Sequence, residues 1–597
     1  MLTKRFQESK CNLMQLSTKI VLIFITFIVL VLGVFIRYYH VAFTDREINR
    51  VILKERDKAK RGSIISADGY RIAYTRKVYT AEVNTRDIPK SNENIFAQMF
   101  SLYSGIPKED ILEKIRSKNG NVILAKHLTF QQYQGIKELS QEFTLSGILV
   151  GQKSSKNGRY KYIGLSIRET GAEREYPYGN TLTPLIGYTN KIVEDKYGRV
   201  TGIKGLESSF EADMKPANDG YFRGNKDVRG NIILNSSVER KLKSDGSDIH
   251  LNIDMGVQKR IELLLSKKQE EFQSKQIIAS VMESDTGNLI ALATTNRFIR
   301  KSLKDISYLN IDAVEYTFEP GSVIKPVIYS LLLDAKKIRR GQHINCENGK
   351  YRIGRKVITD EHRMGLIPVE EVIIESSNIG MSKLVKDFDA LEFHNGLKLF
   401  GFGQRTGLEI GREITGSINS PKELRRHIYR ATASYGYGFT VNFMQLLKAF
   451  NIFNNDGTIV NPKAVSYLKN GDIVISEIDR NSPIADGTKI ISSSTSRKMK
   501  NILVRTVKEG TGRSARIVAL EIGGKTGTAH IAKNGGYENK YHSSFFGFAN
   551  DKARKYTIGV TVIDPEGRKY FASKTAVPIF KSVVNILVDE KYLKKSY

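Results

Sequence analysis

Cysteine is almost absent from this sequence of 597 residues, in which Cys11 and Cys346 are the only two. Two cysteines so far apart exclude a disulfide framework and a cysteine-based metal site. No zinc-ligand spacing occurs elsewhere in the sequence, and we therefore expect no bound metal and no cofactor. Each cysteine is interpreted as a lone thiol or as a packed side chain.

Acidic residues are also under-represented, because 63 Asp and Glu stand against 93 Lys and Arg, which leaves a net charge of +30. The excess is spread along the sequence and indicates an anionic environment or partner. The sequence lacks the RNA-binding aromatic motifs and basic-helix patterns of nucleic-acid-binding proteins. We therefore predict that DNA and RNA are not partners.

Only one long hydrophobic run is present, over residues 20–36, and Tyr38 and Tyr39 follow it. Its length is close to the span of about 20 residues that crosses a bilayer. No small-residue cleavage site follows, which argues against a cleaved secretory signal. Residues 20–39 are therefore predicted to form one transmembrane helix.

The charge around this run predicts its orientation. Four basic residues precede it: Lys4, Arg5, Lys10 and Lys19. The positive-inside rule then places residues 1–19 in the cytoplasm and exports the rest of the chain. We expect a single-pass protein of the inner (cytoplasmic) membrane whose bulk is periplasmic or otherwise extracytoplasmic. The two cysteines would then lie on opposite sides of the membrane, which excludes a disulfide between them within one chain.

No fixed-period repeat or low-complexity tract follows the hydrophobic run, and the length exceeds what one core usually supports. The character of the sequence changes near Leu251. Residues 40–248 are predicted to form an elongated, mixed α/β pedestal, a non-catalytic spacer or dimerisation-type interaction domain. It is predicted to contain a strand over residues 78–83 and helices over residues 92–103 and after Pro107.

Residues 249–597 have longer apolar segments and are predicted to form a second domain. Consecutive strands with short polar connections favour an antiparallel sheet flanked by helices, so the predicted fold class is α+β. A strand pair is predicted around the turn Asp285-Thr286-Gly287. Further predictions are helices over residues 257–265, 327–333 and 444–453, and strands over residues 517–522, 544–549 and 556–564.

The first chemical motif is Ser322-Val323-Ile324-Lys325, in which the serine and the lysine share one face of a helix. A serine hydroxyl needs a base, and a lysine can be that base when burial or the nearby charge of Lys525 lowers its pKa. The helix start also offers backbone N–H groups to a developing oxyanion. Ser466 and Lys469 have the same spacing but lie in a polar stretch, whereas Ser322 opens an apolar helix. Ser322 is therefore predicted to be the nucleophile.

A second motif is Ser376-Ser377-Asn378. A short loop can aim Ser376 and Asn378 into one cleft, where Ser376 relays a proton to the leaving amine and Asn378 holds the amide of a bound peptide. The alternative is a serine or Asx turn that only caps a helix over residues 379–385.

The third motif is Lys525-Thr526-Gly527, predicted to lie on an edge strand. On a strand the hydroxyls of Thr526 and Thr528 face one side, where with Lys525 they can hold a peptide's terminal carboxylate. Gly527 lets the substrate approach closely. A phosphate-binding loop is excluded, because Ala519 stands where that loop needs glycine and no helix pattern follows.

In this order the three motifs are the signature of penicillin-recognising serine enzymes, and the chain after its hydrophobic run resembles a class B penicillin-binding protein. The resemblance implies that Ser322 is acylated by a stem peptide ending in D-Ala-D-Ala, that a neighbouring stem's amine releases it as a cross-link, and that β-lactams mimic the substrate. Further similar segments are Arg61-Gly62-Ser63-Ile64, Tyr176-Pro177-Tyr178-Gly179, Gly205-Leu206-Glu207, Leu251-Asn252-Ile253-Asp254 and Phe400-Gly401-Phe402-Gly403.

Within that class, Ser376-Ser377-Asn378 and Ser434-Tyr435-Gly436-Tyr437-Gly438 with Gln445 resemble the division-specific, septal enzyme, and an elongation-specific enzyme is the alternative. The resemblance implies peptidoglycan stem peptides as substrate, and a polytopic glycosyltransferase and other divisome membrane proteins as partners. Departures from the family pattern are Ser66-Ala67, Asn442-Phe443 and Ala572-Ser573.

Two other function classes compete. A β-lactamase shares the serine and lysine motifs, but it has no use for a long pedestal and an anchor, and we identify no added acid that would drive deacylation. A non-catalytic scaffold or β-lactam sensor is disfavoured because the full set of chemical residues is present.

Overall fold

The computed structural model describes residues 2–43, 52–150, 152–153, 160–161, 164–193, 195, 197–225, 232–233, 238–300, 309–339, 341–533, 536–567 and 570–595. The chain divides into two compact units. One consists of Met1–Lys58 and Asp219–Lys243, and the other of Ala59–Asn218 and Ser244–Tyr597.

The described helices up to residue 251 are α1 (Leu2–Phe43), α2 (Glu93–Ser104), α3 (Lys108–Ser117), α4 (Phe130–Leu145), α5 (Thr183–Ile186), α6 (Gly205–Ser209) and α7 (Glu211–Met214). The strands are β1 (Ile52–Asp57), β2 (Ile64–Ile65), β3 (Arg71–Asn84), β4 (Asn121–Leu128), β5 (Gln152–Lys153), β6 (Tyr160–Lys161), β7 (Leu165–Glu175), β8 (Tyr188–Lys191), β9 (Val200–Lys204), β10 (Gly220–Asn225), β11 (Glu239–Lys241) and β12 (Asp248–Leu251).

The later helices are α8 (Met255–Phe272), α9 (Asp312–Glu315), α10 (Lys325–Asp334), α11 (Glu371–Ile374), α12 (Asn378–Leu384), α13 (Ala390–Leu399), α14 (Pro421–Leu424), α15 (His427–Ser434), α16 (Phe443–Asn454), α17 (Ser493–Lys508) and α18 (Ala576–Asp589). The strands are β13 (Gln276–Glu283), β14 (Leu289–Thr294), β15 (Thr317–Phe318), β16 (His343–Asn345), β17 (Lys350–Ile353), β18 (Lys356–Thr359), β19 (Leu366–Pro368), β20 (Val441–Asn442), β21 (Val465–Asn470), β22 (Ile473–Ile475), β23 (Glu521–Lys533), β24 (Gly536–Asn550) and β25 (Lys555–Ile563).

The first unit contains α1 and a small sheet of order β1-β10-β11. Within α1, Met14–Phe43 is long and apolar enough to cross a membrane, and its large apolar side chains are exposed. An exposed apolar helix of this length fits the single-pass anchor predicted over residues 20–39.

In the second unit, strands β2, β3, β4, β7 and β12 belong to a seven-stranded sheet that also contains β21 and β22. Its order is β22-β21-β12-β2-β3-β4, and β7 also pairs with β3. The predicted strand over residues 78–83 lies within β3, and the two predicted helices are α2 and α3. Three of the segments that resemble the class B family meet around Glu207, which is fully buried. Glu207 accepts hydrogen bonds from Arg61 Nε at 2.8 Å and Tyr176 Oη at 3.0 Å. Arg174 Nε lies 2.9 Å from the same carboxylate.

The later part of the second unit is built on a five-stranded antiparallel sheet of order β14-β13-β25-β24-β23. Its apolar residues alternate between two cores, because Ile277 and Ala279 pack with α8 and α18, whereas Ile278 packs with α16. Burial on both faces explains why apolar residues occupy successive positions of β13 instead of alternating with polar ones. The predicted α+β class and the antiparallel sheet flanked by helices are confirmed.

One predicted strand is wrong over most of its length. Residues 517–520 form no strand, and β23 begins only at Glu521. Ala519 has a φ of 72°, a left-handed conformation that an extended strand cannot accommodate. The apolar pattern of this stretch therefore marks the connection into β23 rather than a strand.

Candidate active site

Ser322 lies in a 3₁₀ turn, Gly321–Ile324, that leads directly into α10. The prediction placed Ser322 at the start of the apolar helix, but the α-helix itself begins three residues later, at Lys325. Gly321 has a φ of 59°, which favours glycine. Pro326 occupies the first turn of α10, where its missing N–H is tolerated. Ser322 is half-buried, whereas Val323 and Ile324 are buried.

The side chain of Lys325 is fully buried and joins the first motif to the second. Its Nζ donates to the backbone oxygen of Ser376 at 2.5 Å and to the Ser376 hydroxyl at 3.2 Å. It also donates to Asn378 Oδ1 at 2.7 Å. The structure thus brings Lys325, Ser376 and Asn378 together, and places Ser322 one turn before the lysine.

The second motif both faces this cluster and caps a helix. Ser376 has a φ of 62°, a strained conformation for a residue with a side chain. Ser377 is the N-cap of α12, and its hydroxyl accepts a hydrogen bond from Gly380 N at 2.8 Å. The helix cap that was the alternative interpretation is therefore present. Ser377 provides this cap, so Ser376 and Asn378 remain available to accept hydrogen bonds from Lys325.

Asp360 supports this arrangement and was not predicted from the sequence. One of its carboxylate oxygens accepts from the Ser377 hydroxyl at 2.6 Å. The other accepts from the backbone N–H groups of Asn378 at 2.6 Å and Ile379 at 3.1 Å. The preceding Thr359 accepts a hydrogen bond from Asn378 Nδ2 at its backbone oxygen, at 2.9 Å. No local pattern marks Asp360, because its partners lie in a separate motif.

We expect Asp360→Asn to reduce the rate of acylation by a β-lactam about 10²-fold, since small displacements of positioned groups have effects of this size. The substitution turns one acceptor atom into a donor and loosens both Ser377 and Asn378. The measurement is the second-order rate of labelling by fluorescent penicillin, with the thermal unfolding midpoint as a control. A labelling rate equal to that of the wild type would contradict this role.

The third motif lies on β23, the edge strand of the five-stranded sheet, as predicted. A Cβ atom at Gly527 would lie 2.8 Å from Val323 Cγ1 and 3.1 Å from Val323 N. The absence of a side chain at Gly527 is therefore required first by the close packing of the 3₁₀ turn on the strand. Lys525 is two residues away, on the same face of the strand, and is fully buried.

The two threonines of this strand have protein partners in the described residues. The hydroxyl of Thr526 lies 2.8 Å from the hydroxyl of Thr511. Thr528 Oγ1 accepts a hydrogen bond from Ala572 N at 3.3 Å. The Ala572-Ser573 departure from the family pattern thus lies next to the third motif.

Burial dominates the electrostatics of the two lysines. It lowers the pKa of Lys325 to about 7, against the opposing effect of the Asp360 and Glu361 carboxylates. Burial, and next the charge of Lys325, lower the pKa of Lys525 well below its ordinary value. A buried lysine with a pKa of about 7 is available as a base near neutral pH.

The Ser434–Gly438 segment borders the 3₁₀ turn. Gly436, with a φ of 91°, accepts a hydrogen bond at its backbone oxygen from Gly321 N at 3.0 Å, and a Cβ atom at Gly436 would lie 2.1 Å from Gly321 O. Gly438 N donates to Glu319 Oε1 at 2.7 Å. Burial raises the pKa of Glu319. Neither Glu319 nor this packing was singled out from the sequence.

The remaining sequence candidates lie elsewhere or take structural roles. Ser466 lies on strand β21 rather than on a helix, which agrees with the preference for Ser322. Cys346 is a buried free thiol whose sulfur lies 3.3 Å from the Ser377 hydroxyl. In the part of the chain that the structure describes, no group of three or more His, Cys, Asp or Glu residues is arranged to hold a metal ion.

Family models identify the two parts of the chain. Residues 277–585, just over half of the sequence, match the penicillin-binding protein transpeptidase domain. The chain belongs to the penicillin-binding protein transpeptidase family. Residues 56–251 match the penicillin-binding protein dimerisation domain. The predicted resemblance to class B penicillin-binding proteins and the predicted enzyme class, a transpeptidase, are confirmed.

Curated relatives extend this family match along most of the chain. It is 27% identical over 546 residues to the probable peptidoglycan D,D-transpeptidase PenA of Neisseria meningitidis, covering 90% of this chain and 85% of the relative. It is 26% identical to stage V sporulation protein D of Bacillus subtilis over 90% of this chain and 79% of that protein. It is also 26% identical to peptidoglycan D,D-transpeptidase FtsI of Escherichia coli over 71% of this chain and 68% of that protein.

Solved structures of similar fold include penicillin-binding protein 2X of Streptococcus thermophilus, with a TM-score of 0.70 and 21% identity over 91% of this chain and 83% of that one. Penicillin-binding protein 3 of Mycobacterium tuberculosis, complexed with aztreonam, matches with a TM-score of 0.63 and 20% identity over 91% of this chain and 98% of that one. These similarities bear on the fold.

Proposed function

We propose that this penicillin-binding protein is a peptidoglycan D,D-transpeptidase that cross-links stem peptides through an acyl-enzyme on Ser322. The observation that carries the proposal is the buried Lys325 amine, bonded to Ser376 and Asn378, one helical turn after a half-buried serine. The names of the relatives, peptidoglycan D,D-transpeptidases among them, support the same reaction.

In the first step Ser322 Oγ attacks the carbonyl carbon of the penultimate D-Ala, and its proton passes to the neutral Lys325 amine. Backbone N–H groups near the start of α10 stabilise the oxyanion of the tetrahedral intermediate. The peptide C–N bond then breaks. The terminal D-Ala leaves as an amine that receives a proton from Lys325 through the hydroxyl of Ser376.

In the second step the amine of a neighbouring stem peptide attacks the ester carbonyl. It loses a proton to the same base, the ester bond to Ser322 breaks, and the serine regains its proton. The new amide is the cross-link. A β-lactam follows the first step only, since its leaving amine stays attached and blocks the acceptor.

Lys525, Thr526, Gly527 and Thr528 are proposed to bind the donor peptide. Lys525 and the two hydroxyls hold the terminal carboxylate, and Asn378 binds a backbone amide of the stem. An edge strand suits this role, because an extended peptide can add to its free backbone groups.

We further propose residues 1–19 as a cytoplasmic tail, 20–39 as the membrane span, 40–248 as the pedestal and 249–597 as the transpeptidase domain, with the bulk of the chain extracytoplasmic. The apolar helix Met14–Phe43 supports the span, and the basic residues before it support the orientation. Such a topology suits partnership with a polytopic glycosyltransferase and other divisome membrane proteins.

A role in septal wall synthesis is proposed over a role in elongation. The serine at position 377 supports it, because the elongation-specific branch usually carries an aspartate there. In this chain Ser377 caps α12 and donates to Asp360. A tagged copy is expected at the division site, and a distribution along the side wall would favour the elongation role.

The reaction is tested with the purified full chain and glycan strands that carry D-Ala-D-Ala stems. We expect cross-linked dimers of stem peptides, release of D-Ala and complete inhibition by penicillin. Steady hydrolysis of penicillin without cross-linking would favour a β-lactamase instead. Covalent penicillin binding with neither reaction would favour a sensor.

A further inference from the structure

The hairpin β17–β18 lies beside the second motif and is strongly basic. Its ten residues include four cations and no acidic residue. The cations are all exposed: Lys350, Arg352, Arg355 and Lys356. None of the four side chains has an ion-pair or hydrogen-bond partner within the described ranges. A cluster of unpaired like charges is unfavourable by itself and favours a bound anion.

The register of the hairpin places two of the four cations, Lys350 and Arg352, on one face, whereas Lys356 pairs with Ile353 on the opposite face. Arg352 pairs with Val357, and Lys350 pairs with Thr359. The side chains of these two pairs share the outer face of the hairpin, and all of them are exposed. The opposite face carries Ile358, which belongs to the main core, and partly buried residues that pack against it. Core packing on one face therefore fixes the basic face toward solvent.

The turn of the hairpin adds to the same charge. Gly354, with a φ of 58°, occupies the first position of the two-residue loop, as tight hairpins require. Arg355 follows it at the tip. Residues two apart on a strand are separated by about 7 Å, which is less than the Debye length of about 10 Å at 0.1 M salt. An approaching anion therefore interacts with the cations as one positive surface.

This surface is continuous with the active site. Thr359, at the end of the outer face, accepts a hydrogen bond from Asn378 Nδ2 at 2.9 Å. The next residue, Asp360, uses both carboxylate oxygens on Ser377 and the start of α12. That carboxylate is therefore directed to the second motif. The exposed acids that flank the hairpin in the sequence are Glu347, which is paired with Lys383 at 2.6 Å, and Glu361.

We propose that the outer face and tip of the β17–β18 hairpin form a docking surface for the carboxylate groups of stem peptides along a peptidoglycan strand. The inference rests on the proposed function, because the proposed ligand is the polymer that carries the stem peptides of that reaction. A strand that carries many carboxylate-ended stems is a polyanion, and an open basic face suits a polymer better than a single small ligand. Binding there raises the local concentration of stems next to Asn378.

The test compares two triple variants of the full chain in detergent. The hairpin variant carries Lys350→Gln, Arg352→Gln and Arg355→Gln. The control variant removes the same charge at three exposed lysines of other elements: Lys422→Gln, Lys498→Gln and Lys552→Gln. Each protein is first treated with penicillin, so that the cleft is blocked, and is then pelleted with purified bacterial sacculi freed of phosphodiester polymers by hydrofluoric acid.

We expect the hairpin variant to bind these sacculi about tenfold more weakly than the wild type, the low end of electrostatic steering effects. The difference should shrink between about 0.1 M and about 1 M salt, as the Debye length falls to about 3 Å. Amidation of the sacculus carboxylates should remove the difference in binding between the hairpin variant and the wild type. The control variant should bind like the wild type.

Equal binding by the hairpin variant and the control variant, or a difference that survives amidation, would overturn the proposal. Labelling by fluorescent penicillin is measured in parallel and should be within about twofold of the wild type in both variants, because this small probe does not need the polymer surface. Failure of the wild type to be labelled would count against the proposed acyl-enzyme, whereas the pelleting result would still decide the docking surface.

Discussion

Replacing Ser322 with alanine is expected to abolish covalent labelling by fluorescent penicillin. The substitution removes the oxygen that forms the ester, and loss of a nucleophile in a serine acyl-transfer site lowers the rate by at least about 10⁴-fold. The hydroxyl is half-buried at a turn, so its loss should leave the fold intact. The measurement is fluorescence of the full chain after gel electrophoresis.

Ser466→Ala is the matched control for this prediction. Ser466 has the same spacing to a lysine, Lys469, but lies on strand β21. We expect this variant to be labelled at the rate of the wild type. Persistent labelling of the Ser322→Ala protein, or loss of labelling in the Ser466→Ala protein, would refute the assignment of the nucleophile.

The second large effect is expected from Lys325→Met, which keeps a long, apolar side chain in a fully buried position and removes the amine. The acylation rate should fall about 10²- to 10⁴-fold, the usual contribution of a general base. In the wild type, the rate should rise with pH and reach half its plateau near pH 7, because burial lowers the pKa of Lys325 to about 7.

The direction of this pH dependence follows from the role of the amine. Lys325 accepts the proton of Ser322 only in its neutral form, which predominates above its pKa. An unperturbed lysine, with a pKa of about 10.4, would keep the rate rising far beyond neutral pH. Acylation rates measured from pH 5 to pH 9 therefore distinguish the two cases, and a rate that still rises steeply at pH 9 would contradict the proposed base.

Lys448→Met provides a matched control for the buried lysine. Lys448 is also buried, and its Nζ donates to Asn461 Oδ1 at 2.5 Å and Thr406 O at 3.1 Å. Burial lowers the pKa of Lys448 to about 8. Because none of its partners belongs to the three motifs, we expect this variant to keep the pH profile of the wild type. A comparison of thermal unfolding midpoints separates destabilisation from loss of the base.

Several elements could be predicted because their causes are local. The apolar run before Tyr38, the helix after Pro107 and the strands beside the turn at Asp285 depend on composition, capping and turn chemistry within a few residues. The absence of a strand over residues 517–520 could not be predicted, since the left-handed conformation of Ala519 depends on how the chain enters β23. Local apolarity does not distinguish an irregular connection from a strand.

The candidate site divides in the same way. Spacing alone places Ser322 and Lys325 on one helical face, and the strand period places Lys525 and Gly527 on one face of β23. Asp360 was missed because it follows the β17–β18 hairpin in sequence and meets Ser377 only in the folded chain. Glu319 was missed for a related reason, since its partner Gly438 belongs to a distant segment.

The sequence by itself determined the family, the apolar helix, the fold class and the three motifs, because each depends on residues that are close along the chain. Only the tertiary structure decided that Lys325 is buried against Ser376 and Asn378, and that its charge helps to lower the pKa of Lys525. It also decided that the 3₁₀ turn of Ser322 packs on the strand at Gly527, where a side chain would not fit. Burial and electrostatic coupling act between residues far apart in sequence, and no local pattern encodes those distances.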